Sequence, residues 1–274
     1  MNFDFPGRLR FISICISFWD KAIFGGQPST THPIAEPWDS PHVVKRNIFP
    51  KVLNDIKLYY IEYFDYFMNQ KNTLGLNFCF MDLDNPLELF KSWMAEAKKK
   101  EIRDPNASSL ATANNAGQPN VRMVLLKELS SKGFVFYTNL NSQKSQDLKE
   151  NPKAAMCFHW KSFNRQIRIL GSVTQVEDGE ADLYFKSRSY ENRISAWASD
   201  QSDTMRERSE LLKKIEDYKT KYKSENNVPR PPFWSGWCLR PSSIEFWLHR
   251  DNRIHERLRY NKTTNGWEKE ILYP

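Results

Sequence analysis

"SSLATANNAGQPNVRMVLLKELSSKGFVFYTN", Ser108 to Asn139, decides the fold. Three short runs, "SSLATA", "NVRMVLLKEL" and "GFVFYTN", read as strands, and the turn-forming clusters "NNAGQP" and "SSKG" punctuate them. Downstream, the short helical stretch "SQKSQDLKENP" precedes two more strands, "AAMCFHW" and "RQIRILGSVTQVE". Helices are expected around 178–199 and 203–223, the second with Leu211, Leu212, Ile215 and Tyr218 as its apolar side. A Pro-rich connector, "NNVPRPPFW", leads to "GWCLRP", "SIEFWLH", "RIHERLRY" and "WEKEILYP", four further strands. Antiparallel succession with inserted helices predicts an α+β barrel with peripheral helices, not a βαβ parallel sheet.

Upstream, "DNPLELFKSWMAEAKKKE" carries a helix start: Asn85 as N-cap, Pro86 at the first helical position and Glu88 three residues on, a capping-box spacing. Leu87, Phe90, Met94 and Ala97 then supply its buried face. Residues 1–80 read as an N-terminal extension, partly disordered or helical, with "KVLNDIKLYYIEYFDYFMNQ" as its candidate helix; residues 81–274 form the main domain. "RLRFISICISFW", residues 8–19, is too short to span a bilayer. It reads as a poorly ordered or partner-docked extension. A cleaved signal or mitochondrial presequence is the alternative, against which Asp4 and Asp20 speak.

The chain has 274 residues, 40% of them hydrophobic, enough for a sizeable core. Its formal charge of +7 is spread among interleaved acids, which suits anionic ligands of any size. Cys15, Cys79, Cys157 and Cys238 lie far apart without a C-x-x-C pair, so reduced thiols in a cytoplasmic setting are expected. Ten glycines, with neither G-x-G-x-x-G nor a P-loop, mean that a bound phosphate must be held largely by side chains. The five histidines show no metal-ligand spacing, and G-x-S-x-G is missing.

What remains is a set of basic residues on strands. On a regular strand Arg122 and Lys127 of "RMVLLK" would face opposite sides; both could equally be strand-end charges reaching solvent. In "NRQIRILG" Gln166 and Arg168 share one face. Tyr184 and Arg188 stand four apart, neighbours on a helix, where they make either a phosphate clamp or an ordinary surface pair. In "RDNRIHERLRY" the alternation would put Arg253, His255, Arg257 and Arg259 on one face of a strand. Such a face can bind nucleic acid, hold a small anion or be solvated.

In this order, "RMVLLK", "FYTNLNSQK", "NRQIRILG", "YFKSRS", "DQSD", "VPRPPFWSGW", "IEFW" and "NRIHER" resemble the pyridoxamine/pyridoxine 5'-phosphate oxidase family over roughly residues 83–274. The resemblance implies an FMN-binding split β-barrel homodimer with two sites between subunits. It implies oxidation of pyridoxamine or pyridoxine 5'-phosphate by O2 to pyridoxal 5'-phosphate, with release of H2O2 and no nucleic-acid or membrane partner. By motif position, the FMN contacts would be Arg122, Met123, Val124, Leu125, Lys127, Tyr137, Thr138, Gln143, Lys144, Gln166, Gln201, Ser202, Trp247 and Arg257. The substrate phosphate would meet Lys127, Tyr184, Arg188 and Asn192, while Arg253 and His255 would lie over the ring as the catalytic pair.

Several positions depart from the family pattern. Gln143 stands where an arginine is usual, Asn192 where a serine is usual, and "QKNT" (70–73) where a closing Arg-x-x-Tyr-like segment is expected. Leu248-His249 replaces Gln-Gly, and Ile271 replaces an arginine. These departures motivate a second reading, a diverged paralogue that binds FMN or a B6 phosphate with little or no turnover.

Overall fold

The computed structural model describes residues 74–224 and 227–274. The readings for residues 8–19, for the helix ending at Gln70 and for 70–73 lie outside these residues. No helix among them is long and apolar enough to cross a membrane.

Helix α1 (Pro86–Lys100) begins as its sequence dictates: Asn85 Oδ1 accepts from the Leu87 N–H at 3.0 Å, with Pro86 behind it. Glu88 does not close a capping box but pairs with Lys91 at 2.9 Å. Its buried stripe is Leu89, Phe90, Trp93, Met94 and Ala97, wider than the spacing predicts. Phe90 meets Phe134 and Phe158 edge-on at 4.9 and 5.2 Å, and Trp93 meets Phe246 at 5.2 Å. Burying each such side chain stabilises the fold by about 1.5–3 kcal/mol. Residues 74–80, placed with the extension by sequence, pack here instead: Phe80 is buried, and Leu74, Leu76 and Cys79 lean on the same core.

The rest follows in the order β1 (Ala107–Ala113), β2 (Pro119–Leu125), β3 (Glu128–Ser130), β4 (Gly133–Asn139), α2 (Gln143–Glu150), β5 (Lys153–Trp160) and β6 (Arg165–Gln175). Then come α3 (Asp178–Lys186), α4 (Tyr190–Ala198), α5 (Arg208–Lys221), β7 (Trp234–Leu248), β8 (Glu256–Thr263) and β9 (Gly266–Ile271). The strands form one nine-stranded sheet in the order β2-β1-β5-β6-β7-β4-β3, with β8 pairing β7 and β9 pairing β8, every pairing antiparallel.

Strand β7 splits the barrel. One edge pairs with β6 along most of its length, while the other takes β4 at residues 234–239 and β8 at 243–248. The sequence breaks this element into two strands at Pro241, but Pro241 adjoins a bulge in β7: Leu170 pairs with Ser243 and Gly171 with Pro241, leaving Ser242 as the extra residue, and a lost ladder bond is tolerated there. Gly171 is required there, because a Cβ would run into the Arg240 carbonyl. Helix α5 is less buried than its apolar side suggests: Leu212 is 52% exposed, and Ile215, Tyr218 and Tyr222 make its contact with the cluster around Trp234.

Candidate functional site

Strand β2 ends at Leu125, before the parity argument for Arg122 and Lys127 can apply. The Leu126 N–H turns to the Asn106 carbonyl and the Lys127 N–H to the Val135 carbonyl, so the chain swings across to β4. Lys127 thereby reaches a cleft of about 670 Å³ also lined by Leu125, Tyr137, Thr138, Tyr184, Arg188, Asn192 and Gln201. Eight residues expected from the sequence are thus brought together.

The expected helix over 178–199 is interrupted at Ser187–Ser189, and Arg188 lies in that break rather than on a helical face with Tyr184. Ser189 caps α4 by accepting from the Asn192 N–H. The first turn of α4 therefore lines the cleft, where its dipole favours an anion. Tyr137 stacks on Tyr184 at 4.0 Å and on Trp234 at 5.3 Å, and Gly236 opposite leaves room for it: a Cβ there would sit 2.8 Å from the Tyr137 ring. Burial, then the Glu180 carboxylate, raises the Tyr137 phenol, which stays protonated. The Arg188 guanidinium lies over Trp234 at 4.9 Å, and its Nη1 is buried with no hydrogen-bond partner. Burial lowers its pKa, with Tyr184 opposing.

Behind Thr138 lies Lys144. Its Nζ donates to Gln201 Oε1 (2.9 Å), Ser142 Oγ (3.0 Å) and Thr138 Oγ1 (3.1 Å), all neutral acceptors. Burial, then the Arg122 charge, pushes its pKa down to about 8. Arg122 donates to Thr112 Oγ1 at 2.6 Å and stands 3.7 Å from Asp147. Burial would raise the Asp147 carboxyl, but hydrogen bonds from Thr112, Gln143 and Asn120 and the Arg122 charge hold it below its ordinary value. Gln143 is committed to this carboxylate, donating from Nε2 at 2.9 Å.

Other expected residues lie elsewhere. Met123 is 62% exposed on β2, Val124 packs on the core, and Ser202 sits in an exposed left-handed turn. Gln166, Trp247 and Arg257 are laterally aligned on β6, β7 and β8. His255 packs on Trp247 at 4.6 Å, and Arg257 is held by Glu245 at 2.8 Å. The expected basic strand face is corrected: β8 starts at Glu256, and Asn252 and Arg253 both take left-handed backbones in a 3-10 turn. Only Arg257 and Arg259 alternate on the strand. None of this second group lines the cleft. Sequence reasoning missed Trp234, Asn139 and Asp147; the first two lie inside quoted motifs, whereas nothing local marks Asp147.

A forked antiparallel barrel with a cation-lined cleft at a helix N-terminus defines a class: split-barrel proteins that hold a phosphorylated small molecule. Residues 94–222 match the family model described as pyridoxamine 5'-phosphate oxidase, and 234–274 that of the pyridoxine 5'-phosphate oxidase C-terminal dimerisation region. The chain belongs to the pyridoxine/pyridoxamine 5'-phosphate oxidase family. It is 60% identical over 208 residues to the pyridoxine/pyridoxamine 5'-phosphate oxidase of Pelagibacter ubique, covering 76% of this chain and 100% of that one. The Bartonella quintana relative of the same name is 48% identical over 206 residues, covering 74% and 99%. Among solved structures, PhzG from Burkholderia lata in complex with tetrahydrophenazine-1-carboxylic acid superposes with a TM-score of 0.68 at 30% identity, covering 73% and 97%. An FMN-binding, pyridoxamine 5'-phosphate oxidase-related protein from Nostoc punctiforme shares the fold (TM-score 0.57, 16% identity, 71% and 100% covered).

Proposed function

We propose that the protein is a homodimeric, FMN-dependent oxidase that converts pyridoxamine 5'-phosphate and pyridoxine 5'-phosphate to pyridoxal 5'-phosphate, using O2 and releasing H2O2. The observation that carries the reading is the buried, unpartnered Nη1 of Arg188, in the cleft with Lys127 and Tyr184. A buried guanidinium N–H left unpaired is costly, and a phosphate oxygen satisfies it with a charge-assisted bond. Asn192, although bulkier than serine, offers a side-chain donor at the same helix end.

The residues also suit FMN. Lys144 is a buried cation with neutral partners alone, a state that an incoming phosphate relieves. When bound, FMN supplies the two-electron acceptor that O2 regenerates. The chain supplies charge and orientation. Lys144 and Arg122 answer the flavin phosphate in the absence of a cation at Gln143, with Thr138 and Gln201 fixing the Lys144 ammonium. Met123, Val124, Leu125, Tyr137, Ser202, Gln166, Trp247 and Arg257 complete the assigned flavin contacts, and Arg253 and His255 orient the vitamer ring. Protonated Tyr137 and the stacked rings keep water from one wall of the cleft.

Homodimerisation accounts for the separation of the two groups. Trp234 in the cleft and Trp247 beside His255 are thirteen residues apart on β7, roughly 40 Å of strand, beyond the reach of a single vitamer. A site between protomers brings one group from each chain. Unpaired Cys79, Cys157 and Cys238 agree with a reducing, cytoplasmic setting, which fractionation of a tagged chain tests.

The decisive assay follows oxygen-dependent pyridoxal 5'-phosphate formation by purified protein from both vitamers. Turnover of either supports the oxidase. Bound flavin without product identifies the diverged binding paralogue instead.

A further inference from the structure

The turn that carries Arg253 has an unfavourable backbone conformation, and one carboxylate, Glu256, stands at its end. Asn252 (φ 55°) and Arg253 (φ 62°) are consecutive non-glycine residues in the left-handed region. Such conformations persist only where surrounding contacts over-determine them. Within the turn the Arg250 N–H donates to His255 Nδ1 at 3.2 Å, and the Ile254 N–H to the Asp251 carbonyl. The first of these bonds sets the His255 tautomer, leaving its Nε2 as the donor.

Glu256 closes the turn from outside. It opens β8 opposite Leu248, the last residue of β7, and its side chain is 18% exposed. One carboxylate oxygen takes the Arg250 guanidinium at 2.9 Å, across the mouth of the turn. The other accepts the backbone N–H of Asn77 at 2.5 Å, from the segment that precedes α1. Asn77 is itself folded into a turn, its Oδ1 accepting from the Cys79 N–H and its carbonyl from the Phe80 N–H. Phe80 anchors that turn in the core.

We infer that Glu256 is a positioning residue: by binding Arg250 and Asn77 together it fixes the turn that presents Arg253 and His255, and it couples residues 74–80 to that turn. A glutamine cannot replace it. Both neighbours are donors, and a carboxamide offers one acceptor oxygen where the carboxylate offers two. The inference rests on the proposed role of Arg253 and His255 toward the vitamer.

The test measures kcat/KM for pyridoxine 5'-phosphate, FMN per chain and thermal stability in four variants: Glu256→Gln, Arg250→Ala, their double mutant, and Arg253→Ala as the reference. Expected are a roughly tenfold lower kcat/KM in Glu256→Gln and a smaller loss in the largely exposed Arg250→Ala, with FMN per chain unchanged in both. The double mutant should be no worse than Glu256→Gln, because both changes break one contact. If Arg253→Ala is impaired while Glu256→Gln matches the parent per bound flavin, the inference is overturned. It is overturned equally if the two single losses multiply. If Arg253→Ala itself is unimpaired, the assignment of Arg253 to the vitamer fails instead.

Discussion

Arg188 condenses the chemistry of the cleft into one side chain. Its guanidinium lies over Trp234, is desolvated, and lacks a partner for Nη1. Arg188→Met should therefore raise KM for the phosphorylated vitamers by about tenfold to a hundredfold, the worth of a lost charge-assisted hydrogen bond. The ligand-free variant should melt close to the parent, since the substitution removes the desolvation cost of a half-buried cation together with its contact over Trp234. A lower melting temperature with unchanged KM would assign Arg188 to packing alone. Lys144 makes a second prediction, with pH as the variable. Its pKa falls from 10.5 to about 8 in the folded chain, so between those values the unfolded chain holds more protons. The penalty of burying its charge is full below about pH 8 and fades as pH rises through that window. Ligand-free parent protein should gain stability relative to Lys144→Met from pH 8 to 10. FMN acts in the opposite sense: its phosphate favours the ammonium, so affinity should weaken as pH rises through about 8, and Lys144→Met should lose that dependence. Residue types and order in the motifs made both cations legible. Their environments were not, because the neutral shell around Lys144 joins residues up to 57 positions apart.

At the scale of elements, local signals carried the helix start at Asn85 and nearly every strand of the barrel. They failed where tertiary pairing overrides them. "RMVLLK" continues an apolar run without a breaker, yet Leu126 and Lys127 leave the strand because Asn106 and Val135 offer them backbone partners. The alternation after Asn252 looks like a strand, but the turn behind it needs residues 251–255 before β8 can pair with β7. Pro241 is an ordinary breaker and divides β7 in the sequence, and only the bulge in β7 at Ser242, beside that proline, shows why it is tolerated. Gly171 at that bulge gives the corresponding prediction. Its absent Cβ lets the Arg240 carbonyl approach, so Gly171→Ala must push β6 and β7 apart in the middle of the sheet. The cost should be on the order of 1–3 kcal/mol or more in urea unfolding. Gly179 has open space around its Cβ position, and Gly179→Ala in α3 should cost nothing or stabilise slightly.

For the whole molecule, the question is how two groups on one long strand serve one ligand. Edge strand β2 presents Val121, Met123 and Leu125 outward, with Val121 70% and Met123 62% exposed. An apolar row on a sheet edge is a liability unless a second chain covers it. Val121→Asp, at a position with no assigned ligand role, should shift sedimentation toward the monomer and lower FMN content with it, because the assigned flavin contacts come from both groups. A sharper test uses complementation. Arg188→Met and Arg253→Ala impair different groups, and at substrate concentrations well below the parental KM each homodimer should retain only a small fraction of parental activity. In a mixed dimer with shared sites, one site receives both substitutions and the other receives neither. Co-expression with different affinity tags and purification of the mixed species should therefore restore about one parental site per dimer. If each site drew both arginines from the same chain, every site in the mixed dimer would carry one defect, and activity would stay at the homodimer level. Recovery thus separates a shared site from a site within one chain without any change in ligand chemistry, and its failure would overturn the intersubunit arrangement while leaving the assignment of each arginine intact.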